Sequence, residues 1–274
     1  MTATQSEKAI RFAELHRRPG AFVIPNPWDA GSARMLASLG FEALATSSGA
    51  SAGTLGRRDG RVSRDEALAH AAAIVGATDL PVSADLERGF GDAPAYVAET
   101  IRLASGVGLV GASIEDATGV AERPLYGMEE AVARVRAAVE GARGLAFPFM
   151  LVARAEGFLR GNPDLDDVIA RLQAFERAGA DVLFAPGLPD LAAVRTVCGA
   201  LAKPFNYMAG IKGRSYPVAE LADAGVKRVS VATSFYRAAM TGLLDAAREV
   251  KEAGTFGYVD RAIPTPEFNR FMQG

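Results

Sequence analysis

The chain has 274 residues, of which 49% are hydrophobic and 23% are charged, and its formal net charge at neutral pH is −2. This composition is typical of a globular protein with a large core. It excludes a disordered chain and gives no electrostatic reason to expect binding to nucleic acid or to a membrane surface. The chain has one cysteine and no apolar run of the ~18 residues that span a membrane, so we expect a cytoplasmic protein without an intrachain disulfide.

Short apolar segments alternate with longer segments of helical periodicity along nearly the whole chain. After a leading helix at 7–17, strands are predicted at 21–25, 43–47, 82–85, 111–115, 149–153, 182–185, 205–208 and 229–232. Further helices are predicted at 30–39, 64–75, 93–104, 128–140, 165–178, 188–200, 217–224 and 236–253. Eight consecutive βα units predict an α/β fold, a (β/α)8 barrel of the TIM type.

No linker rich in proline, serine or charge divides the sequence, so a single barrel domain is expected over residues 1–274. The polar segment 54–64 follows the second predicted strand and is a candidate active-site loop or lid. The tail, 255–274, contains Pro264 and Pro266 and is not expected to continue the preceding helix. We expect this tail to pack on the barrel or on a neighbouring subunit.

Three carboxylates follow neighbouring predicted strands at their carboxyl ends, where barrel enzymes place their chemistry. Asp85 and Glu87 stand two residues apart after an apolar run, so strand alternation turns both side chains to one face, and Glu115 ends the next strand. Like charges this close repel each other unless a cation or a shared proton lies between them. The pattern predicts a Mg²⁺ or Mn²⁺ site formed by Asp85, Glu87 and Glu115, and the alternative is a set of ordinary capping and salt-bridging carboxylates.

Further polar groups at the same predicted rim have the chemistry to bind an anion. Arg154 is the only cation at a predicted strand end, suited to bind a carboxylate or stabilise an enolate oxygen, unless it only neutralises the acidic cluster. Ser47, Ser48 and Gly49 follow the second strand and offer hydroxyl and backbone N–H groups, although a turn without a ligand has the same sequence. Asn206 is a further candidate for a substrate contact.

Five segments make the sequence resemble the isocitrate lyase and phosphoenolpyruvate mutase superfamily from residue 26 to about residue 253. They are Thr46-Ser47-Ser48-Gly49, Leu55-Gly56-Arg57-Arg58-Asp59, Asp85-Leu86-Glu87-Arg88-Gly89-Phe90-Gly91, Ile114-Glu115-Asp116 and Val152-Ala153-Arg154-Ala155-Glu156. The resemblance implies a Mg²⁺-dependent barrel enzyme, a homodimer or homotetramer, whose last helix is swapped between paired subunits. The implied reaction makes or breaks a bond to the carbon next to a 2-oxo acid, through an enolate held on the metal.

The resemblance also implies residue roles. Asp85 matches the aspartate that binds the metal directly, whereas Asp59, Glu87 and Glu115 match residues that act mostly through metal-bound waters. Arg154 matches the arginine that stabilises the oxyanion. The expected catalytic residues are Arg154, Asp59 and Glu115. The expected substrate-binding residues are Ser47, Ser48, Gly49, Arg154 and Asn206.

The loop after the strand that ends at Glu115 departs from the family pattern. Isocitrate and methylisocitrate lyases carry a Lys-Cys-Gly-His type loop whose cysteine is the catalytic acid, whereas residues 117–126 contain no cysteine. The mutase and phosphonopyruvate hydrolase members have a longer loop with Lys and Asn, which this chain lacks. Decarboxylation of oxaloacetate needs least from this loop, because loss of CO₂ requires only enolate stabilisation and a later protonation.

We therefore expect a lyase that cleaves or decarboxylates a small 2-oxo or 2-hydroxy di- or tricarboxylate of the isocitrate, methylisocitrate or oxaloacetate type. Two alternatives remain open. One is hydrolase or mutase chemistry on the C–P bond of phosphonopyruvate. The other is a non-catalytic member of the family that binds a 2-oxo acid.

Overall fold

The computed structural model of the protein describes residues 3–273. The strands in this part of the chain are β1 (Phe22–Ile24), β2 (Leu44–Ala45), β3 (Val82–Asp85), β4 (Gly111–Glu115), β5 (Ala117–Val120), β6 (Arg123–Leu125), β7 (Met150–Arg154), β8 (Val182–Phe184), β9 (Phe205–Met208) and β10 (Val226–Ser230). Eight of them form one parallel sheet in the order β1-β10-β9-β8-β7-β4-β3-β2, and β5 pairs with β6 in a separate antiparallel hairpin. The N–H of Ala45 donates a 3.0 Å hydrogen bond to the Pro25 carbonyl and joins the two ends of the sheet. The predicted barrel is confirmed.

The helices surround the sheet and mostly begin within three residues of their predicted starts. They are α1 (Gln5–Arg17), α2 (Ala30–Ser38), α3 (Ser48–Thr54), α4 (Arg64–Gly76), α5 (Pro94–Gly106), α6 (Met128–Arg143), α7 (Leu165–Arg177), α8 (Leu191–Gly199), α9 (Val218–Asp223), α10 (Ser234–Arg248) and α11 (Thr265–Met272). Short 3-10 helices lie at Gly157–Leu159 and Gly257–Arg261, and α10 continues into a π-helical turn at Glu249–Ala253. None of the helices formed by residues 3–273 combines the length and apolarity that a bilayer crossing requires.

The amino-terminal end of the barrel is closed by α1. Phe12 of this helix is fully buried and belongs to an apolar cluster with Phe22, Ile24 and Met150 of the strands. Two further clusters lie between the strands and the surrounding helices. Apolar side chains therefore fill one end of the barrel, and the polar side chains that follow the strands collect at the other end.

Three short elements were not expected from the sequence. Helix α3 begins directly after the second strand, because Ser47 caps it by accepting the N–H of Ala50 and the small residues that follow pack closely. The loop 117–126 folds into the β5–β6 hairpin. Helix α11 begins after Pro264 and carries Pro266 in its first turn, where the missing N–H of proline removes no helical hydrogen bond. The prolines that prevent continuation of one helix thus start another.

Helix α10 is left uncovered by the described part of the chain. None of its residues is buried, and Leu243 and Leu244 are 60% and 51% exposed. Helix α11 lies against α2, where Arg34 donates a hydrogen bond to the carbonyl of Met272. The first turn of α10 contacts the barrel, where the rings of Tyr236 and Trp28 lie 5.6 Å apart, whereas Leu243 and Leu244 further along the helix are exposed.

Candidate active site

Arg154, the last residue of β7, is the centre of a buried ion-pair network at the carboxyl end of the barrel. Its Nη1 lies 2.8 Å from Asp85 Oδ1, and its Nη2 lies 3.1 Å from Glu115 Oε2. Its Nη2 and Nε also lie 2.8 and 2.9 Å from Glu156 Oε1. Burial opposes the charged form of Arg154, but the three carboxylates outweigh burial and hold its pKa well above the ordinary value. The guanidinium is therefore permanently charged and fixed in position.

Asp85, the last residue of β3, accepts hydrogen bonds on both carboxylate oxygens. Its Oδ2 accepts from the hydroxyl of Ser48 at 2.9 Å and from the N–H of Ser48 at 3.3 Å. Its Oδ1 accepts from the N–H of Glu87 at 3.2 Å as well as from Arg154. Burial alone would raise the pKa of Asp85, but Arg154 and these hydrogen bonds outweigh it and hold the pKa below its usual value. Asp85 is thus an ionised carboxylate at neutral pH.

Glu87 lies in the site, but a turn after β3 places it there rather than strand alternation. The expectation that strand alternation turns Asp85 and Glu87 to one face is wrong, because β3 ends at Asp85 and Glu87 has a φ of +49°. A left-handed conformation is strained for a residue with a side chain, and such strain is frequent at functional sites. The turn still places Glu87 in one cleft with Asp59 and Glu115. Burial, followed by the charges of Asp85 and Asp59, raises the pKa of Glu87 to about 7.

Arg160 is a further cation at the site that the sequence reasoning missed, and it lines the outer part of the site together with Arg61 and Arg88. It follows the 3-10 helix Gly157–Leu159, so it was absent from the strand-end residues, and only its spacing of four from Glu156 pointed to it. Its Nη2 lies 3.4 Å from Glu115 Oε1, and its Nε lies 3.7 Å from Glu156 Oε2. Burial raises the pKa of Glu115 well above its ordinary value, against the effect of Arg154 and Arg160, and the nearby carboxylates add to the rise.

The segment Ser47-Ser48-Gly49 forms the first turn of α3 and its cap. Gly49 allows a close approach, since a Cβ at this position would lie 2.9 Å from Thr233 Cγ2 and 3.3 Å from Asp59 Oδ2. Asp59 is exposed and belongs to the segment between α3 and α4, which is a loop as predicted. The loop therefore brings a carboxylate from outside the barrel to the rim.

Two cavities share Arg154. The outer cleft is open to solvent and is lined by Ser48, Asp59, Glu87, Glu115, Arg154 and Arg160, among others. The interior cavity lies inside the barrel, and its lining includes Ser47, Asp85, Arg154 and Asn206. The expected substrate-binding residues are thus divided, with Ser48 in the cleft and Asn206 in the interior.

The β5–β6 hairpin lies beside the outer cleft and is held by a structural carboxylate. Asp116 Oδ1 accepts the N–H of Glu156 at 2.8 Å, and its Oδ2 accepts from Arg171 Nη1 at 3.1 Å. Burial raises the pKa of Asp116 to about 6. Gly119 of β5 lines the cleft, and a Cβ there would lie 2.8 Å from Arg88 Nη1. The end of the flexible Arg88 side chain can move aside, but the φ of +76° at Gly119 would strain any residue with a Cβ.

The carboxylates of the cleft are separated rather than clustered. Within residues 3–273, no three acidic, histidine or cysteine side chains converge as a preformed metal centre would. The hydrogen bonds of Glu87 in the described chain involve its backbone only, so its carboxylate faces the cleft beside Asp59 without a donor. Mg²⁺ is commonly held by one or two carboxylates and several waters. The carboxylate oxygens around Asp85 are spaced far enough apart to suit a Mg²⁺ ion that keeps several of its waters.

Comparison with known proteins matches residues 12–251 to the family described as phosphoenolpyruvate phosphomutase. A crystal structure of a Burkholderia cenocepacia J2315 protein, provisionally described as a lyase/mutase, is 52% identical, with a TM-score of 0.97 and coverage of 98% of this chain and 97% of that chain. The crystal structure of 2,3-dimethylmalate lyase, a member of the PEP mutase/isocitrate lyase superfamily, is 27% identical with a TM-score of 0.87, covering 97% of this chain and 95% of that one.

Oxaloacetate decarboxylase of Paraburkholderia xenovorans (strain LB400) is 31% identical over 283 residues, which cover 96% of this chain and 92% of the relative. The family match spans most of the barrel, and the relatives named above carry carbon–carbon lyase names or share their fold. The resemblance inferred from the sequence is confirmed. The chain therefore belongs to the phosphoenolpyruvate mutase and isocitrate lyase superfamily, and it is an enzyme of the carbon–carbon lyase type.

Proposed function

We propose that the protein is a Mg²⁺-dependent lyase that cleaves or decarboxylates a small 2-oxo or 2-hydroxy di- or tricarboxylate through an enolate, with Mn²⁺ able to replace Mg²⁺. The observation that carries the proposal is the placement of Arg154, whose side chain is 12% exposed and contacts three carboxylates where the two cavities meet. A guanidinium fixed in this way is preorganised for negative charge that develops on a substrate oxygen, and little reorganisation is needed during the reaction.

Four carboxylates are assigned to the metal. Asp85 is proposed as the direct ligand because it is ionised and lines the interior cavity beside Arg154, the residue that both cavities share. Asp59, Glu87 and Glu115 line the outer cleft and are proposed to hold the ion through water. When bound, the divalent cation supplies positive charge toward the 2-oxo and carboxylate oxygens of the substrate and lowers the energy of the enolate. Glu115 and Asp59 remain the proposed catalytic carboxylates together with Arg154.

The substrate carboxylate is assigned to the turn Ser47-Ser48-Gly49. Ser48 donates its hydroxyl and its N–H to Asp85, so it orients that carboxylate at the same time as it lines the cleft. Arg154 has a raised pKa and stays protonated, so it acts through charge and hydrogen bonds and does not transfer a proton. Asn206 is assigned to the end of the substrate that faces the barrel interior.

Among the lyase reactions, decarboxylation of an oxaloacetate-type acid makes the smallest demand on the β5–β6 hairpin. Residues 117–126 contain no cysteine, so the hairpin offers no thiol acid. When CO₂ leaves, the electron pair of the broken C–C bond remains in the enolate, which Arg154 is placed to stabilise and which water can protonate afterwards. The similarity to an oxaloacetate decarboxylase supports this substrate class.

A substrate panel tests the proposal. Purified protein would be incubated with oxaloacetate, isocitrate, 2-methylisocitrate, 2,3-dimethylmalate and phosphonopyruvate, each with Mg²⁺ and with EDTA, and the products would be followed by NMR. We expect Mg²⁺-dependent loss of at least one of the four carbon acids. Phosphate release from phosphonopyruvate alone would select C–P chemistry instead. Binding of oxalate without turnover of any compound would select a non-catalytic protein.

We also propose a homodimer or homotetramer in which α10 packs against a neighbouring subunit. This helix buries none of its residues within the described chain, and Leu243 and Leu244 are mostly exposed. An apolar helix face of this kind usually marks an interface. Light scattering after size exclusion should show an oligomer, and Leu243→Glu with Leu244→Glu should dissociate it. A monomeric parent protein would contradict the proposal.

A further inference from the structure

Arg228 is a buried arginine whose charge is not balanced within the described chain. It is 5% exposed, and its Nε and Nη1 have no hydrogen-bond partner among residues 3–273. Burial is the single influence that lowers its pKa, to about 10, so the side chain remains protonated at neutral pH. The Phe12 ring lies 5.8 Å from its Cζ and provides only a weak cation–π contact. A buried charge without a partner is strongly unfavourable, so a ligand with a negative charge would stabilise Arg228.

Strand register turns this arginine into the barrel. Arg228 of β10 is the register partner of Phe22 on one side and of Asn206 on the other. Residues two apart on a strand share a face, and Ser230 lines the same interior cavity as Arg228 and Asn206. The predicted eighth strand, 229–232, began one residue too late to include Arg228, whereas β10 begins at Val226.

The cavity around Arg228 has further unused hydrogen-bonding capacity. Asn206 is 1% exposed, its Nδ2 donates to Ser230 Oγ at 3.0 Å, and its Oδ1 has no partner in the described chain. A half-turn of this amide would let Oδ1 accept from the Ser230 hydroxyl and would direct the NH₂ group into the cavity. In that orientation the Ser230 hydroxyl would donate to Asn206 instead of to the Tyr207 carbonyl, which lies 3.5 Å away. The Asn206 NH₂ group and the Arg228 guanidinium would then both be donors toward one acceptor.

Arg228 differs from the other charged residues of the cavity wall in having no charge partner. Its charged residues are Asp85, Arg154 and Arg228, and the first two form an ion pair at 2.8 Å. Arg154 has two further carboxylate partners, Glu115 and Glu156, whereas Arg228 has none in the described chain. The guanidinium of Arg228 is therefore the unpaired charge inside the barrel, on the side closed by α1.

We propose that the interior cavity is a binding site for one compact carboxylate, with Arg228 as its charge partner and Asn206 as a second donor. A planar carboxylate can accept two N–H groups from one guanidinium, and its negative charge would balance that of Arg228. The carboxylate comes either from a small free acid or from the inner end of a larger acid that also contacts Arg154. This inference goes beyond the lyase proposal, and it requires neither metal nor turnover.

Thermal unfolding with sodium formate tests the site without catalysis. Formate would replace the bulky buffer anion MES at constant ionic strength, in metal-free buffer, with the full-length protein. At ten times its Kd, formate should raise the Tm by roughly 3–6 °C. Arg228→Met should abolish this rise, because it removes the charge and keeps an unbranched side chain. Retention of the full rise in Arg228→Met would overturn the proposal.

Lys227→Met is the matched control. Lys227 is the neighbour of Arg228 on β10, and its Nζ contacts the carbonyl of Gly20 rather than the cavity. This variant loses the same charge and should keep the formate effect. Loss of the effect in Lys227→Met would show that formate acts through general electrostatics and would count against the site.

If Arg228→Met does not fold, bromide-soaked crystals of the parent protein decide the question. Anomalous density beside Arg228 supports the site, and its absence at high bromide overturns it.

The two sources of the carboxylate are separated by a second titration in saturating oxalate and Mg²⁺. If oxalate abolishes the formate effect, the interior site receives one end of a larger acid. If the two effects add, the interior site binds a separate anion. Either result keeps the role of Arg228, and neither depends on turnover, so failure of the lyase assay and failure of this inference are distinguishable.

Discussion

The two buried arginines that face the barrel interior, Arg154 and Arg228, have opposite environments. Arg154 lies at the carboxyl end and contacts Asp85, Glu115 and Glu156, whereas Arg228 lies toward the end closed by α1 and has no such partner in the described chain. Both are largely inaccessible to solvent. The first is held in position by charge, and the second is held by packing. Depth in the barrel, rather than residue type, therefore separates an arginine fixed by carboxylates from one without a charge partner.

The strongest test of this comparison is Arg154→Met. Because the guanidinium is fixed against the reacting end of the cleft, kcat/KM for the substrate found in the panel should fall by roughly 10²–10³-fold. Arg154→Lys should lose nearly as much, since one ammonium cannot replace the planar fork that contacts three carboxylates. Arg143→Met, which breaks a surface pair with Asp181, should leave kcat/KM unchanged. A loss below tenfold in Arg154→Met would remove Arg154 from the mechanism.

Asp85→Asn tests the carboxyl end of the barrel, where Asp85 pairs with Arg154. The substitution keeps the size of the side chain and removes the charge assigned to the metal, so Mn²⁺ affinity should fall by about tenfold or more. Electron paramagnetic resonance of free Mn²⁺ measures that affinity directly. Asp79→Asn is the control, because Asp79 is exposed and contacts only α1. Equal Mn²⁺ binding by the parent and Asp85→Asn proteins would place the metal elsewhere.

The pH dependence of stability tests the closed end of the barrel, where His16 lies close to Arg228. Burial first, and the charge of Arg228 second, lower the pKa of His16 to about 3, whereas the unfolded chain has the ordinary value of 6.5. As the pH falls through 6.5 the unfolded state binds a proton that the folded state excludes. The stabilising effect of neutral His16 is therefore complete above pH 6.5 and is lost toward pH 3.

The free energy of unfolding should fall by up to about 1.4 kcal/mol per pH unit because of His16 alone. Urea unfolding at several pH values would measure it, with His16→Asn as the reference. The Asn side chain can still donate to the carbonyl of Phe12, as Nδ1 of His16 does, but it does not titrate. If the parent and His16→Asn proteins lose stability in parallel between pH 6.5 and 4, the histidine is charged in the folded state.

Arg228→Met should change the free energy of unfolding least, and it should differ clearly from Arg154→Met in this respect. In MES buffer, loss of an unpaired buried charge should change the free energy of unfolding by less than about 1 kcal/mol, or raise it. Arg154→Met should lower it by about 3 kcal/mol, because three buried carboxylates lose their cation. Urea titrations of both variants measure the difference. A similar loss of unfolding free energy in both variants would show that Arg228, like Arg154, has a stabilising partner.

The sequence located the strand-end residues of the candidate site, because these residues follow apolar strands. Asp85, Glu115 and Arg154 were found at the ends of predicted strands, and all three lie at the rim. Arg160 and the β5–β6 hairpin were missed since neither belongs to a strand of the barrel. Glu87 was expected in the site for the wrong reason, as its position depends on a left-handed turn that no periodicity signals.

The sequence by itself determined the eight βα units, because strand and helix periodicities are local properties of a few successive residues. It also determined which acids and bases lie near the ends of the strands. Only the tertiary structure decided that Arg154 pairs with a carboxylate 69 positions away and that Arg228 has no such partner in the described residues. The physical reason is that the register and closure of the barrel set these contacts between strands distant in the chain, and one residue of register decides which side chains face the interior.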